Sequence, residues 1–212
     1  MTINNVKIPT SVGIIDIGIS NIASIERTLS EIVDEVVIVR NGSQLTSIDR
    51  LILPGVGAFP SAMKRLSESG RVADIHEFVR VLRRPLLGIC LGMQLLADRG
   101  FEGTETLGLG FIAGDVRLLK PANDLRVPHV GWNDVHTKGN ARLFDGIPDG
   151  SDFYFVHSYH FVPTMREHIA AVVEYGGEVV AAVADGNVWG AQFHPEKSSR
   201  AGFHLLKNFL SS

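Results

Sequence analysis

Short apolar runs alternate with helix-period patterns through the first half of the chain, and this restricts the fold more than any other feature. Val12–Ile17, Val36–Val39, Leu51–Leu53 and Leu86–Ile89 read as buried strands. Ser20 or Asn21 can cap a helix whose apolar face is Ile22, Ile25, Leu29 and Ile32, since residues three and four apart share one side of a helix. Arg71–Leu82 carries Ile75, Phe78, Val79 and Leu82 at the same spacing, and Leu91–Ala97 follows the fourth strand as a further helix. Continuously apolar strands joined by helices imply a parallel sheet covered on both faces.

The second half changes character. Asp115–Leu119, Phe153–Tyr159, Ile169–Tyr175, Val179–Ala184 and Val188–Phe193 read as strands, and Asp185-Gly186-Asn187 is a hairpin signal between the last two. A closing helix, Arg200–Leu210, buries Phe203, Leu206 and Leu210. The expected architecture is an α/β single-domain three-layer sandwich with a central mixed, mostly parallel sheet. Residues 1–11 form an N-terminal extension and 12–212 the domain. In such sheets, sites form at the carboxyl ends of the strands.

Composition excludes several classes. The formal net charge is −3 and no basic run tracks a phosphate backbone, so nucleic acid is not an expected partner. No stretch reaches the roughly 18–20 uncharged apolar residues of a membrane helix. Met1–Ser11 lacks the apolar core of a secretory signal. A single cysteine rules out an internal disulfide, and a reducing, cytoplasmic setting is expected. Cys90 then needs another explanation, the plainest being a small buried hydrophobe.

Its neighbours argue otherwise. Gly88 and Gly92 flank Cys90 at two residues on either side, between a strand and a helix. That spacing matches a nucleophile elbow with Cys in place of Ser. The reactive atom must stand at the apex of a tight turn, where larger side chains would collide with backbone. The following helix aims its N-terminus at the sulfur, which favours thiolate. Gln192-Phe193-His194-Pro195-Glu196 closes the last strand. His194 and Glu196 are two apart and would point the same way along an extended chain, the carboxylate orienting the imidazole. Pro195 ends the strand pairing. The expected catalytic set is Cys90, His194 and Glu196. Acyl transfer also needs N–H donors facing the developing oxyanion. Leu91, just after the nucleophile, is one expected donor, and Gly57 in the turn Pro54-Gly55-Val56-Gly57 the second.

Pro54-Gly-Val-Gly-Ala-Phe59, Gly88-Ile-Cys-Leu-Gly-Met-Gln94, Pro128-His-Val-Gly-Trp-Asn133, Phe155-Val-His-Ser-Tyr159 and Gln192-Phe-His-Pro-Glu-Lys-Ser198 occur in this order. Together, over about Val12 to Leu210, they resemble class I glutamine amidotransferases of the triad type, a flavodoxin-like fold. Within that family they are similar to the glutaminase subunits of imidazole glycerol phosphate synthases. The resemblance implies hydrolysis of L-glutamine through a Cys90 thioester, with ammonia passed to a (β/α)₈-barrel cyclase in a heterodimer and no cofactor. It implies that Gln94, Glu102, Ser158 and Tyr159 bind glutamine, and that Asn21, His129, Trp132, Asn133 and Lys197 lie near the partner interface. Gln94 is one helical turn beyond Cys90 and so projects to the same side. Trp132 can equally be read as a core aromatic. His157 and His160, three apart on one strand, would face opposite sides, so no metal is expected. Ser20 stands where the family usually has glycine before the asparagine.

Two other enzyme readings share these features: a related protein supplying ammonia for amidination of bacterial surface sugars, and a stand-alone γ-glutamyl hydrolase. A non-catalytic module on the same fold would require a broken triad, and all three residues are present.

Overall fold

The computed structural model describes residues 7–18, 21–122, 125–139 and 142–212. Ser20 and the first six residues lie outside the described residues. In chain order the elements begin with β1 (Ile8–Ile15), α1 (Ile22–Ser30), β2 (Val33–Val39), β3 (Arg50–Gly55), α2 (Phe59–Glu68) and α3 (Arg71–His76). They continue with β4 (Leu86–Cys90), α4 (Leu91–Gln94), β5 (Arg99–Gly100), β6 (Thr106–Leu107), β7 (Gly114–Leu118) and β8 (His129–Thr137). The chain closes with β9 (Ser151–His157), β10 (Tyr159–Pro163), β11 (Ile169–Glu174), β12 (Glu178–Asp185), β13 (Val188–Ala191) and α5 (Ser199–Ser211).

Among the described residues the large sheet runs β2-β1-β3-β4-β13-β12-β11-β8-β9. Strands β2 to β13 in that order pair in parallel, and from β13 to β9 the pairing is antiparallel. The antiparallel half is thus as wide as the parallel half, where the sequence suggested a mostly parallel sheet. The added width is β8, a strand hidden from periodicity because its inward residues include His129 and Asn133 while Val130 and Trp132 face out.

Strand alternation explains the layering. Val12, Ile14, Ile52, Leu87 and Ile89 join one buried cluster with Ile25 and Leu29 of α1 and Leu205, Leu206 and Phe209 of α5. Ile15, Leu51, Leu53 and Leu86 join the opposite cluster with Leu66 of α2 and Ile75 of α3. Successive side chains of a strand leave opposite faces, so each central strand serves both layers.

Three element expectations are corrected. First, β1 starts at Ile8 rather than Val12, so the sheet takes in four of the eleven residues expected to precede it. The earlier residues are held by pairing with β2 and by Asp49, whose carboxylate accepts from Ser11 N–H at 2.9 Å. Second, Phe153–Tyr159 is not one strand. It breaks at Ser158, and β10 crosses into a separate sheet ordered β10-β7-β5-β6. Third, Arg71–Leu82 is α-helical only to His76 and then widens into a π-turn over Glu77–Val81, closed by Leu82 N–H to Glu77 O at 2.9 Å. The extra residue per turn lets the adjacent Phe78 and Val79 both be buried.

Candidate active site

β4 ends at Cys90 and α4 starts at Leu91, with no loop between them. Cys90 bears the reversal itself, at φ 55 and ψ −111, a conformation L-residues with a Cβ rarely adopt. Strain of this kind costs on the order of 1–3 kcal/mol and persists where packing enforces it. The packing is close: a Cβ on Gly92 would stand 1.7 Å from Leu53 O, and one on Gly88 2.5 Å from Gly92 O. Glycine is therefore required at both flanks so that α4 can lie against β3 and β4.

His194 follows β13, the parallel neighbour of β4, and its strand pairing carries it beside Cys90. Both residues line one cavity of about 340 Å³, with Val56, Gly57, Leu91, Gln94, Glu102, Pro128, Val156, His157, Ser158 and Tyr159. His194 Nδ1 lies 2.8 Å from Glu196 Oε1, and the carboxylate requires the proton on Nδ1. Nε2 is left without a well-formed hydrogen bond. Burial pushes the imidazole down, but the neighbouring Cys90 sulfur and Glu196 carboxylate outweigh it and raise His194 to about 9. The sulfur and the imidazole thus face one cavity, without a well-formed hydrogen bond between them.

The geometric reason for the His–Glu contact differs from the one read in the sequence. Glu196 does not continue an extended chain. It sits in a 3₁₀ turn, Pro195–Lys197, that folds its carboxylate back onto the ring. Ser198, which sequence reasoning passed over, holds this turn: its buried hydroxyl donates to His194 O at 2.6 Å and accepts from Tyr154 N–H at 3.1 Å. The spacing Ser198-to-His194, one helical turn, was the available signal.

Gln94 is buried and donates from Nε2 to Tyr159 O at 2.8 Å and to Gln192 Oε1 at 3.0 Å. Glu102 reaches the cavity from a loop and accepts the first-turn N–H of α2 at Phe59, 2.7 Å away, through Oε2. The helix end therefore fixes the carboxylate in place. Ser158, Tyr159, Gly57 (φ 94) and Leu91 line the same cavity.

The residues expected at an interface divide. Trp132 is 50% exposed, which removes the core reading. It packs edge-on against Tyr154, over whose ring Lys197 Nζ lies at 5.7 Å. Asn21 is exposed, its amide donating to Ser24 Oγ at 3.0 Å. Asn133 is half-buried and donates to Glu174 O at 3.1 Å. His129 is buried, stacked between Phe155 and Tyr175, directly behind the exposed face of β8.

His157 and His160 are separated by more than the faces of one strand, since the break at Ser158 places them in different sheets. His157 Nδ1 donates to Tyr159 O at 2.8 Å, so its Nε2 accepts from His129 Nδ1 at 3.1 Å. Burial, foremost, pushes His157 down to about 3 and His129 to about 4, and lowers His160. An unfolded histidine takes a proton near pH 6.5, whereas these folded ones resist it. Their contribution is present above pH 6.5 and lost as pH falls towards 4, because the unfolded state then binds more protons. The urea midpoint is expected to fall steadily between pH 6.5 and 4.5, above the range where carboxylates titrate. A flat midpoint across that window would contradict the neutral, buried pair.

The model of the family Glutamine amidotransferase class-I matches residues 13–212. The chain is 46% identical over 198 residues to the imidazole glycerol phosphate synthase subunit HisH of Moorella thermoacetica, covering 93% of each chain. It is 48% identical to imidazole glycerol phosphate synthase subunit HisH 2 of Vibrio vulnificus, covering 93% of this chain and 92% of that one. Among solved structures it is similar to PurLQS from Thermotoga maritima, with TM-score 0.74, 18% identity and coverage of 96% and 99%. A second likeness is the glutaminase domain of CTPS from Trypanosoma brucei, with TM-score 0.63, 15% identity and coverage of 96% and 94%. These structural likenesses concern the fold.

Proposed function

The chain belongs to the class I glutamine amidotransferase family, and on that premise we propose how its site works. It is the glutaminase subunit of an imidazole glycerol phosphate synthase, acting in histidine biosynthesis. The observation that carries the mechanism is Cys90, at the apex of a strained elbow, sharing one cavity with a histidine already oriented by a carboxylate.

The Cys90 sulfur, its proton passed to His194 Nε2, attacks the carboxamide carbon of L-glutamine, and the carbonyl electrons move onto oxygen. The N–H groups of Leu91 and Gly57 are the donors for that oxyanion. As the oxyanion collapses the C–N bond breaks, His194 delivers its Nε2 proton to the leaving nitrogen, and ammonia departs from a γ-glutamyl thioester. His194 then takes a proton from water, which attacks the thioester to give glutamate and the free sulfur. Glu196 keeps the ring in one tautomer throughout. Glu102 receives the α-ammonium, and Gln94, Ser158 and Tyr159 the remaining polar groups. Such a site rejects analogues that leave its buried polar groups unpaired.

The partner is a (β/α)₈-barrel cyclase, and the reaction takes place in the cytoplasm. An apolar patch supports the docking site. Val130 and Trp132 on β8 pair across to Val156 and Tyr154 on β9, all facing out, and Val130 and Trp132 are 56% and 50% exposed. Val156 and the exposed Val56 also line the catalytic cavity, so the patch runs into its mouth. A partner seated there would receive ammonia directly. The test is glutamate release by the purified chain with and without a cyclase and its ribonucleotide. Strong stimulation is expected, and Trp132→Ala should weaken the complex by roughly tenfold or more, as for a central aromatic anchor. Full activity without any partner would favour a stand-alone hydrolase. Failure to rescue a histidine auxotroph lacking this subunit would favour another ammonia acceptor.

A further inference from the structure

We propose that Gln192 is a positioning residue for the nucleophile: its buried carboxamide donates to the Cys90 sulfur and fixes the carboxamide of Gln94, leaving Gln94 only an acceptor to offer the substrate. This rests on the reading of Cys90 as the nucleophile. Gln192 is fully buried, 0% exposed, two residues ahead of His194 and directly after the last strand, β13.

One backbone carbonyl sets the direction of the whole arrangement. Tyr159 O can only accept, and Gln94 presents an amide terminus to it at 2.8 Å. That terminus must be the NH₂ group. The same nitrogen lies 3.0 Å from the Gln192 carboxamide, so the Gln192 atom facing it must be the oxygen. The Gln192 NH₂ then points the other way, to the Cys90 sulfur at 3.9 Å. His157 Nδ1 donates to the same carbonyl at 2.8 Å and holds it in place. Both hydrogens of the Gln94 NH₂ are thus committed, and its oxygen alone is free to meet a donor on the substrate. Flipping Gln94 would set oxygen against oxygen, and flipping Gln192 would set NH₂ against NH₂; either mismatch in a buried site is costly.

A thiolate gains from this donor more than a thiol does, because hydrogen bonds to charged groups are the stronger ones. Cys90 is the only cysteine in the chain, so the rate of iodoacetamide alkylation against pH reports its thiolate without using glutamine. In Gln192→Leu the pH of half-maximal alkylation should rise by about one unit, making the rate at lower pH about tenfold slower. Gln192→Glu keeps an acceptor for Gln94 but loses the donor and adds a like charge, so its midpoint should rise at least as far. A residue that only packed, or only held Gln94, would leave the uncharged Gln192→Leu profile at the wild-type position. Folded variants with wild-type profiles overturn the proposal, and if Gln192→Glu does not fold, Gln192→Leu decides alone. The functional reading fails separately, through a wild-type chain that stays inert towards glutamine beside its cyclase.

Discussion

Cys90→Ser is expected to leave a folded protein whose glutamate release, measured with the cyclase partner present, is slower by more than about 10⁴-fold. The substitution changes one atom at the apex of the elbow. Serine has the same steric needs at φ 55, so the turn, the Gly88 and Gly92 contacts and the cavity should persist. What is lost is the polarisable sulfur nucleophile that shares the cavity with His194. A hydroxyl is a far weaker nucleophile in a site that lacks a base strong enough to ionise it. Thermal melting followed by circular dichroism checks the fold, and a glutamate assay checks the rate. A variant that melts as the wild type yet retains a tenth or more of its activity would move the nucleophile elsewhere.

Gly92→Ala should be the most damaging single change to the scaffold. The added Cβ would meet Leu53 O at 1.7 Å and Leu53 C at 2.8 Å, both backbone atoms of a central strand. No rotamer relieves such a clash. Either α4 lifts from β3, displacing Leu91 and the elbow, or the central sheet distorts. The expected cost is more than about 3 kcal/mol, at the upper end for overpacking. A urea titration measures it. Activity should fall with stability, because the Leu91 N–H is displaced by the same movement. A variant with the wild-type midpoint would mean that α4 does not pack on β3 at this distance.

The two halves of the site differ in how far the sequence revealed them. Cys90 was legible because its signal is local: two glycines at fixed offsets between a strand and a helix. His194 and Glu196 were legible as a pair for the same reason, although the turn that joins them was not. Trp132 was ambiguous, since an indole suits a core and an interface equally, and only its exposure separates the two. The inward orientation of His129 was not legible, because its neighbour in sequence, Val130, faces the surface. Gln192 was legible only as the head of the His-Pro-Glu segment, with no sign of its own role. It is one amide in a strand-terminal segment, and its partners lie 98 and 102 residues away.

The fold divides along the same line. Periodicity exposed the central strands β1, β3, β4 and β13 and the helices α1 and α5, because their faces alternate or repeat at the spacing the backbone imposes. It missed β8, whose outward residues include Val130 and Trp132 and whose inward residues include His129 and Asn133. It merged β9 with β10, since no turn residue stronger than Ser158 marks the crossing between sheets.

By itself, then, the sequence determined the elbow, the three side chains proposed for catalysis and the alternating core, all consequences of short-range geometry within a few residues of chain. The tertiary structure alone decided which carboxamide faces the sulfur, that Glu102 is anchored to the start of α2, and that an apolar face opens into the cavity. These depend on which strands become neighbours. Pairing brings together segments a hundred residues apart, and nothing within one segment records the chemistry of the other.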